Sequence, residues 1–136
     1  MLVVDASVLA TALADDGVDG DTARGRLRAQ QLAAPELVDF EVASVLRRQL
    51  SLARLEVRRA RLALEDLFDL PMFRAQHRPL LGRCWELRDN LSIYDAAYVA
   101  LAEALGTPLL TADARLAKAP GLKCTVELVN AGPWQR

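Results

Sequence analysis

Short apolar runs alternate with longer segments of helical pattern along the whole chain. The runs that predict strands are Leu2–Val4, 32–34, 71–73, Leu109–Thr111 and 124–129. The segments that predict helices are 7–14, 22–31, 55–68, 79–88, 92–105 and Ala114–Lys118, with one more that begins at Pro35. Residues 15–21 contain two glycines and predict a turn. This alternation predicts a three-layer α/β/α domain around a central, mostly parallel sheet.

Length and composition indicate one ordinary domain, residues 1–136. The 17 basic and 18 acidic residues give a net charge of −1, which excludes a polycation that coats nucleic acid but not a local charged site. Cys84 and Cys124 lie far apart and His77 is the one histidine, so a structural zinc site is not expected. No apolar stretch approaches roughly 18 residues, and no basic segment precedes the first strand. We therefore expect a cytoplasmic protein without a membrane partner.

Acidic residues occupy positions where a parallel sheet binds ligands. Such sheets place their sites beyond the carboxyl ends of the strands. Asp5 directly follows the first strand, Asp113 lies two residues beyond the fourth, and Asp95 lies near the start of a helix. Each has a simpler explanation as a helix cap, and Ser92 with Asp95 fits a capping box. Several acids together at one sheet edge are harder to explain by capping alone.

Glu41 is unusual because it lies within the apolar stripe of its own helix, beside Leu37, Val38 and Val45. A carboxylate buried without a partner costs several kcal/mol, so a cation is expected to meet it. No lysine or arginine shares that helix face, which leaves a distant arginine or a metal ion. Clustered carboxylates favour Mg²⁺ or Mn²⁺, hard cations that prefer oxygen ligands.

Four segments resemble those of a known family: VVDAS at 3–7, FEVASVL at 40–46, YDAAYVALA at 94–102 and LTAD at 110–113. They are similar to segments of the PIN domain, and more narrowly to those of VapC-type ribonuclease toxins of bacterial toxin–antitoxin modules. The resemblance extends over nearly the whole chain, from Leu2 to about Val129. It implies a PIN-like fold and a metal-dependent endoribonuclease.

The resemblance also implies roles for particular residues. Asp5 and Asp95 would be the principal ligands of Mg²⁺ or Mn²⁺, and Glu41 and Asp113 would complete the catalytic acidic pocket. Two hydroxyl residues, Ser7 and Thr111, would support it. The bound ion would polarise the scissile phosphate and lower the pKa of an attacking water. Some relatives carry a further acid just after the last aspartate, where this chain has Arg115 and Leu116.

The implied partners are an RNA substrate, cut to leave a 5′-phosphate and a 3′-hydroxyl, a cognate antitoxin protein and a second copy of the chain. Arginines that could steer RNA phosphates cluster in two predicted helices, at positions 47, 48, 54, 58, 59 and 61. For each of them a solvated helix face is an equally good explanation.

Two other functions fit parts of the pattern. A phosphoacceptor domain of the receiver or haloacid-dehalogenase type also places aspartates after strands. It requires a second acid close to the first and a lysine after a late strand, whereas Ala6 and Ser7 follow Asp5 here and the lysines are Lys118 and Lys123. The alternative is a catalytically inactive PIN-like module that binds RNA or protein. The presence of all four acids argues against that alternative.

Overall fold

A computed structural model describes residues 1–130 and Trp134, and its centre is a five-stranded sheet. The strands are β1 Leu2–Val4, β2 Leu32–Pro35, β3 Met72–Ala75, β4 Leu109–Thr111 and β5 Val126–Leu128. Their order is β3-β2-β1-β4-β5, and every pair of neighbours is parallel. The sheet is therefore wholly parallel, which confirms the predicted fold class.

The described helices form a layer on each side of this sheet. They are α1 Ala6–Ala14, α2 Val18–Leu27, α3 Val38–Ser51, α4 Val57–Asp69, α5 Leu81–Glu86, α6 Ile93–Leu105 and α7 Ala114–Lys118, with a 3₁₀ turn at Arg78–Leu80. Helix α1 packs against α2, α3 and α4, whereas α6 packs against α5 and the central strands. None of the helices in the described part of the chain is long and apolar enough to cross a membrane.

Helix α6 is buried along its middle and fixes one side of the site. All seven of its residues from 96 to 102 are buried, and four of them are alanines, which allow the helix to approach the sheet closely. Its start is capped by the Ser92 side chain, and it ends at Gly106, whose φ of 64° is left-handed. The first turn of α6, which carries Asp95, therefore has a well-defined position.

Two sequence predictions are wrong for clear physical reasons. Residues 15–21 are not a turn throughout, because α2 begins at Val18. Gly20 lies inside α2, where a Cβ would come within 1.8 Å of the Asp15 carbonyl oxygen, so this glycine permits close packing. Pro35 ends β2, paired with Ala75 of β3, instead of starting a helix. The other helix and strand ends differ from the prediction by a few residues, where propensity is least informative.

Both cysteines are free thiols. Cys84 is buried beside the 3₁₀ turn and Cys124 is partly buried next to β5. Burial raises the pKa of both thiols, which keeps them protonated and unreactive near neutral pH.

Candidate metal centre

The sheet order reverses between β1 and β4, and the candidate site lies at this switch point. From β1 the chain adds β2 and β3 on one side, then returns to add β4 and β5 on the other. Val4 pairs with Leu110, and the Asp5 backbone N–H donates to the Leu110 carbonyl at 2.9 Å. The carboxyl ends of two central strands therefore lie side by side, as in other parallel sheets that bind ligands there.

Asp5 is fully buried at this point, with 0% of its surface exposed. It occupies the N-cap position of α1, but its side chain makes no capping hydrogen bond. Its Oδ2 atom instead accepts hydrogen bonds from the Thr111 hydroxyl at 2.8 Å and the Ser7 hydroxyl at 3.3 Å. The two hydroxyl residues singled out in the sequence therefore orient this carboxylate from β4 and α1.

Asp113 is held by Thr111 and Arg115. Its backbone N–H donates to Thr111 Oγ1 at 3.0 Å, and its Oδ1 caps α7 by accepting from the Arg115 N–H at 2.9 Å. The Arg115 guanidinium lies against the same carboxylate, with Nη2 3.2 Å from Oδ2. Partial burial raises the pKa of Asp113, but the hydrogen bonds from Arg115 lower it by more, so the pKa lies below its ordinary value.

Asp95 lies in the first turn of α6, where the sequence allows both a capping role and a ligand role. Ser92 supplies the N-cap, because its hydroxyl oxygen accepts from the Asp95 backbone N–H at 3.1 Å. The Asp95 carboxylate lines the acidic pocket, close to the positive end of this helix. The helix therefore has its cap, and the aspartate side chain faces the pocket.

Glu41 reaches the site from α3 and is only partly buried. Its Oε1 accepts a hydrogen bond from the Tyr98 hydroxyl at 2.6 Å, and the Tyr98 side chain is fully buried in α6. Sequence reasoning considered an arginine or a metal ion as the partner and missed this neutral donor. The signal for it was a tyrosine three residues after Asp95, within the stretch 96–102 whose other residues are apolar.

All four sequence-predicted acids line one pocket of about 220 Å³. The complete lining is Asp5, Ser7, Glu41, Ser92, Tyr94, Asp95, Asp113 and Arg115. Carboxylate and hydroxyl oxygens without histidine or thiol are a donor set that fits Mg²⁺ or Mn²⁺. Among the described residues, however, no three acidic, histidine or cysteine side chains already stand close enough to share one ion. The donors fit in kind, and a bound ion would have to draw them together.

The structure separates the arginines that were candidates for RNA contact. Arg59 binds the Asp16 carboxylate and the Leu13 carbonyl, and its hydrogen bonds lower the pKa of Asp16, so Arg59 ties α4 to the end of α1. Arg47 and Arg48 instead line a groove of about 400 Å³ along α3. Glu41 lines both this groove and the acidic pocket, which therefore adjoin each other.

Comparison with known proteins agrees with this fold. The PIN domain pattern matches residues 2–122, and the chain belongs to the PIN domain family. Within it the chain is of the VapC type: it is 46% identical over 129 residues to Ribonuclease VapC1 of Mycobacterium tuberculosis, covering 94% of this chain and 97% of that protein.

Solved structures of two further proteins share the fold. VapC20 of Mycobacterium tuberculosis, described as a sarcin-ricin loop cleaving toxin, superposes with a TM-score of 0.68 at 18% identity, covering 86% of this chain and 93% of that one. VapBC2 of Rickettsia felis, bound to a DNA fragment from its promoter, gives a TM-score of 0.66 at 13% identity, covering 93% and 97%. At these identities the likeness concerns the fold alone.

Proposed function

We propose that this protein is the toxin of a toxin–antitoxin module, an endoribonuclease that hydrolyses RNA phosphodiester bonds with Mg²⁺ or Mn²⁺. The observation that carries the proposal is the convergence of four carboxylates, from four separate parts of the chain, on one pocket at the switch point of the sheet. Full-length similarity to proteins named as VapC ribonucleases supports the RNA substrate. We propose that residues 1–136 form one catalytic domain.

Each acid of the pocket has a proposed role. Asp5 and Asp95 are the principal metal ligands, and Glu41 and Asp113 complete the set. The bound ion would supply a Lewis acid for the phosphate and a more acidic water as the nucleophile. The chain's own contribution is orientation: Thr111 holds the buried Asp5 carboxylate, and the start of α6 adds a positive potential that favours a phosphate.

The groove along α3 is the proposed path of the RNA strand. Arg47 and Arg48 are exposed there, and Ser44 and Ser51 line the same groove. Glu41 and Arg48 are two turns of helix apart, which is about 10 Å, so the groove can guide one or two phosphates toward the pocket. Contacts of this kind weaken as salt rises, because they depend on counterion release.

Two protein partners are proposed: a cognate antitoxin and a second copy of the chain. The VapBC2 fold relative supports the antitoxin. An apolar groove of about 250 Å³ adjoins the acidic pocket through Tyr94 and supports association, since exposed apolar surface of this kind favours binding to protein. Sedimentation of the purified chain tests for the second copy. We place the protein's action in the cytoplasm, where RNA is available.

An RNA cleavage assay tests the activity. We expect the wild type to cut labelled RNA with Mg²⁺ or Mn²⁺ and to be inactive in excess EDTA. Asp5→Asn should lose about 100-fold or more, because it removes a charged ligand while keeping the side chain's shape. Asp69→Asn, an exposed acid at the end of α4, is the control and should behave as wild type. Full activity without any divalent ion, or in a folded Asp5→Asn protein, would refute the proposal. RNA binding by the wild type without any cleavage would favour the inactive binding module.

A further inference from the structure

Arg115 is the one cationic side chain among the described residues that line the acidic pocket. Its side chain is 90% exposed, yet its guanidinium lies against the Asp113 carboxylate. Nη2 is 3.2 Å from Oδ2 and Nε is 3.4 Å from Oδ1, and the Arg115 backbone N–H also donates to Oδ1. Both oxygens of Asp113 are therefore engaged by a single residue.

This ion pair competes with a metal ion for Asp113. A divalent ion would need a carboxylate oxygen that now accepts from Arg115, and it would bring two positive charges close to a guanidinium. The absence of three preassembled ligands among the described residues agrees with this competition. Arg115 should therefore weaken metal binding in the protein without RNA.

The pair is also easy to break. The Arg115 side chain is 90% exposed, so water screens its attraction to Asp113, and the long arginine stem is not covered by other residues. A phosphate diester that enters the pocket is a strong competitor for the guanidinium, because arginine binds phosphate through two parallel hydrogen bonds. Transfer of Arg115 from Asp113 to the phosphate would release the carboxylate for the ion.

We propose that Arg115 is a positioning residue that couples RNA binding to completion of the metal site. Without RNA it holds Asp113 in an ion pair and lowers the affinity of the pocket for the ion. When an RNA phosphate takes the guanidinium, Asp113 joins the other ligands. This inference rests on the proposed function. Through Arg115, bound RNA would raise the affinity for the ion, and the bound ion would raise the affinity for RNA.

Two binding measurements, neither of which depends on cleavage, test the proposal. In the first, Mn²⁺ is titrated calorimetrically into the metal-free protein without RNA. We expect Arg115→Ala to bind Mn²⁺ about fivefold more tightly than the wild type, because the competing cation is gone. Lys118→Ala is the matched control, since it removes one charge from the same helix at a residue outside the pocket lining, and it should change the affinity less than twofold.

In the second measurement, the anisotropy of a short labelled single-stranded oligoribonucleotide reports RNA binding in EDTA. Arg115→Ala should bind this RNA about fivefold more weakly, and Lys118→Ala should change the affinity less than twofold. Opposite shifts of the two affinities in one variant are what the proposal requires, and loss of fold would weaken both. If Arg115→Ala leaves either affinity unchanged while the wild type binds Mn²⁺ and cuts RNA, the inference is wrong and the proposed function stands. If the wild type binds neither Mn²⁺ nor RNA, both are wrong.

Discussion

The hydrogen bond between Tyr98 and Glu41 provides the sharpest test of the site's architecture, because it joins α6 to α3 across the pocket. Tyr98→Phe removes the hydroxyl and keeps the ring, which is fully buried. A hydrogen bond to a charged group contributes about 1.5–3 kcal/mol, and water can partly replace it here because Glu41 is only partly buried. We therefore expect the free energy of unfolding to fall by about 1.5 kcal/mol, which corresponds to a melting temperature lower by roughly 5 °C.

The assay is denaturant unfolding at neutral pH in EDTA, so that metal binding does not contribute. Tyr94→Phe is the control: it removes the same atom from the same helix, but its side chain is exposed, and stability should change by less than about 0.3 kcal/mol. Glu41→Gln keeps an acceptor without the charge, and a neutral hydrogen bond is about half as strong. In that background Tyr98→Phe should cost only about 0.7 kcal/mol, which gives a coupling of roughly 0.8 kcal/mol.

Either of two results would refute this reasoning. A Tyr98→Phe protein as stable as the wild type would show that the hydroxyl contributes nothing to the fold. An equal cost in the Glu41 and Gln backgrounds would show that the charge of Glu41 does not strengthen the bond. If both expectations hold, Glu41 is anchored by protein in the metal-free state, and its charge is tolerated there without a cation.

Three further predictions concern other parts of the chain. Burial raises the pKa of Glu103, but its ion pair with Arg83 lowers the pKa by more. Glu103→Gln should therefore lower the free energy of unfolding by about 1–3 kcal/mol at pH 7. Acid unfolding should show this difference shrinking below pH 4.5, where the Glu103 carboxylate becomes protonated. Gly20→Ala should destabilise the fold by more than about 3 kcal/mol through its backbone clash, whereas Gly25→Ala, in open space on the same helix, should stabilise it by about 0.5–1 kcal/mol, both measured by thermal melts. Asp95→Asn should change the melting temperature by no more than a few degrees and abolish RNA cleavage. Near-normal cleavage would show that Asp95 only stabilises the start of α6.

The fold was predictable because its central strands are continuous apolar runs. β1 and β4 are wholly buried, and a strand covered by helices on both faces needs no alternation of polar residues. The candidate acids were predictable for a related reason, because the end of a parallel strand is a fixed place in such a fold. Asp5 directly follows the end of β1, and Asp113 lies two residues beyond the end of β4. These inferences need only local sequence and a rule of topology.

The partners of the acids were not predictable in the same way. The contact between Tyr98 and Glu41 spans 57 positions and depends on how α6 and α3 face each other, which no local pattern encodes. Arg115 is a local neighbour of Asp113. Whether an exposed arginine points toward the pocket or into solvent depends on its side-chain rotamer and on the local electrostatic potential, which the sequence pattern does not give. Gly20 was misread because a glycine that permits close packing and one that forms a turn look alike in sequence.

The pocket as a whole shows how a chain can keep four carboxylates together in one place. Carboxylates that face one another without compensation repel each other and destabilise the fold. Here each acid is stabilised by a different group. Hydroxyls donate to Asp5, and the Tyr98 hydroxyl donates to Glu41. Asp95 lies at the start of α6, and Arg115 forms an ion pair with Asp113. Of these groups, only the Arg115 guanidinium carries a full positive charge, and its side chain is 90% exposed. If the proposed function holds, the carboxylate for which a metal ion would compete hardest is therefore the one whose partner an incoming phosphate would most easily displace.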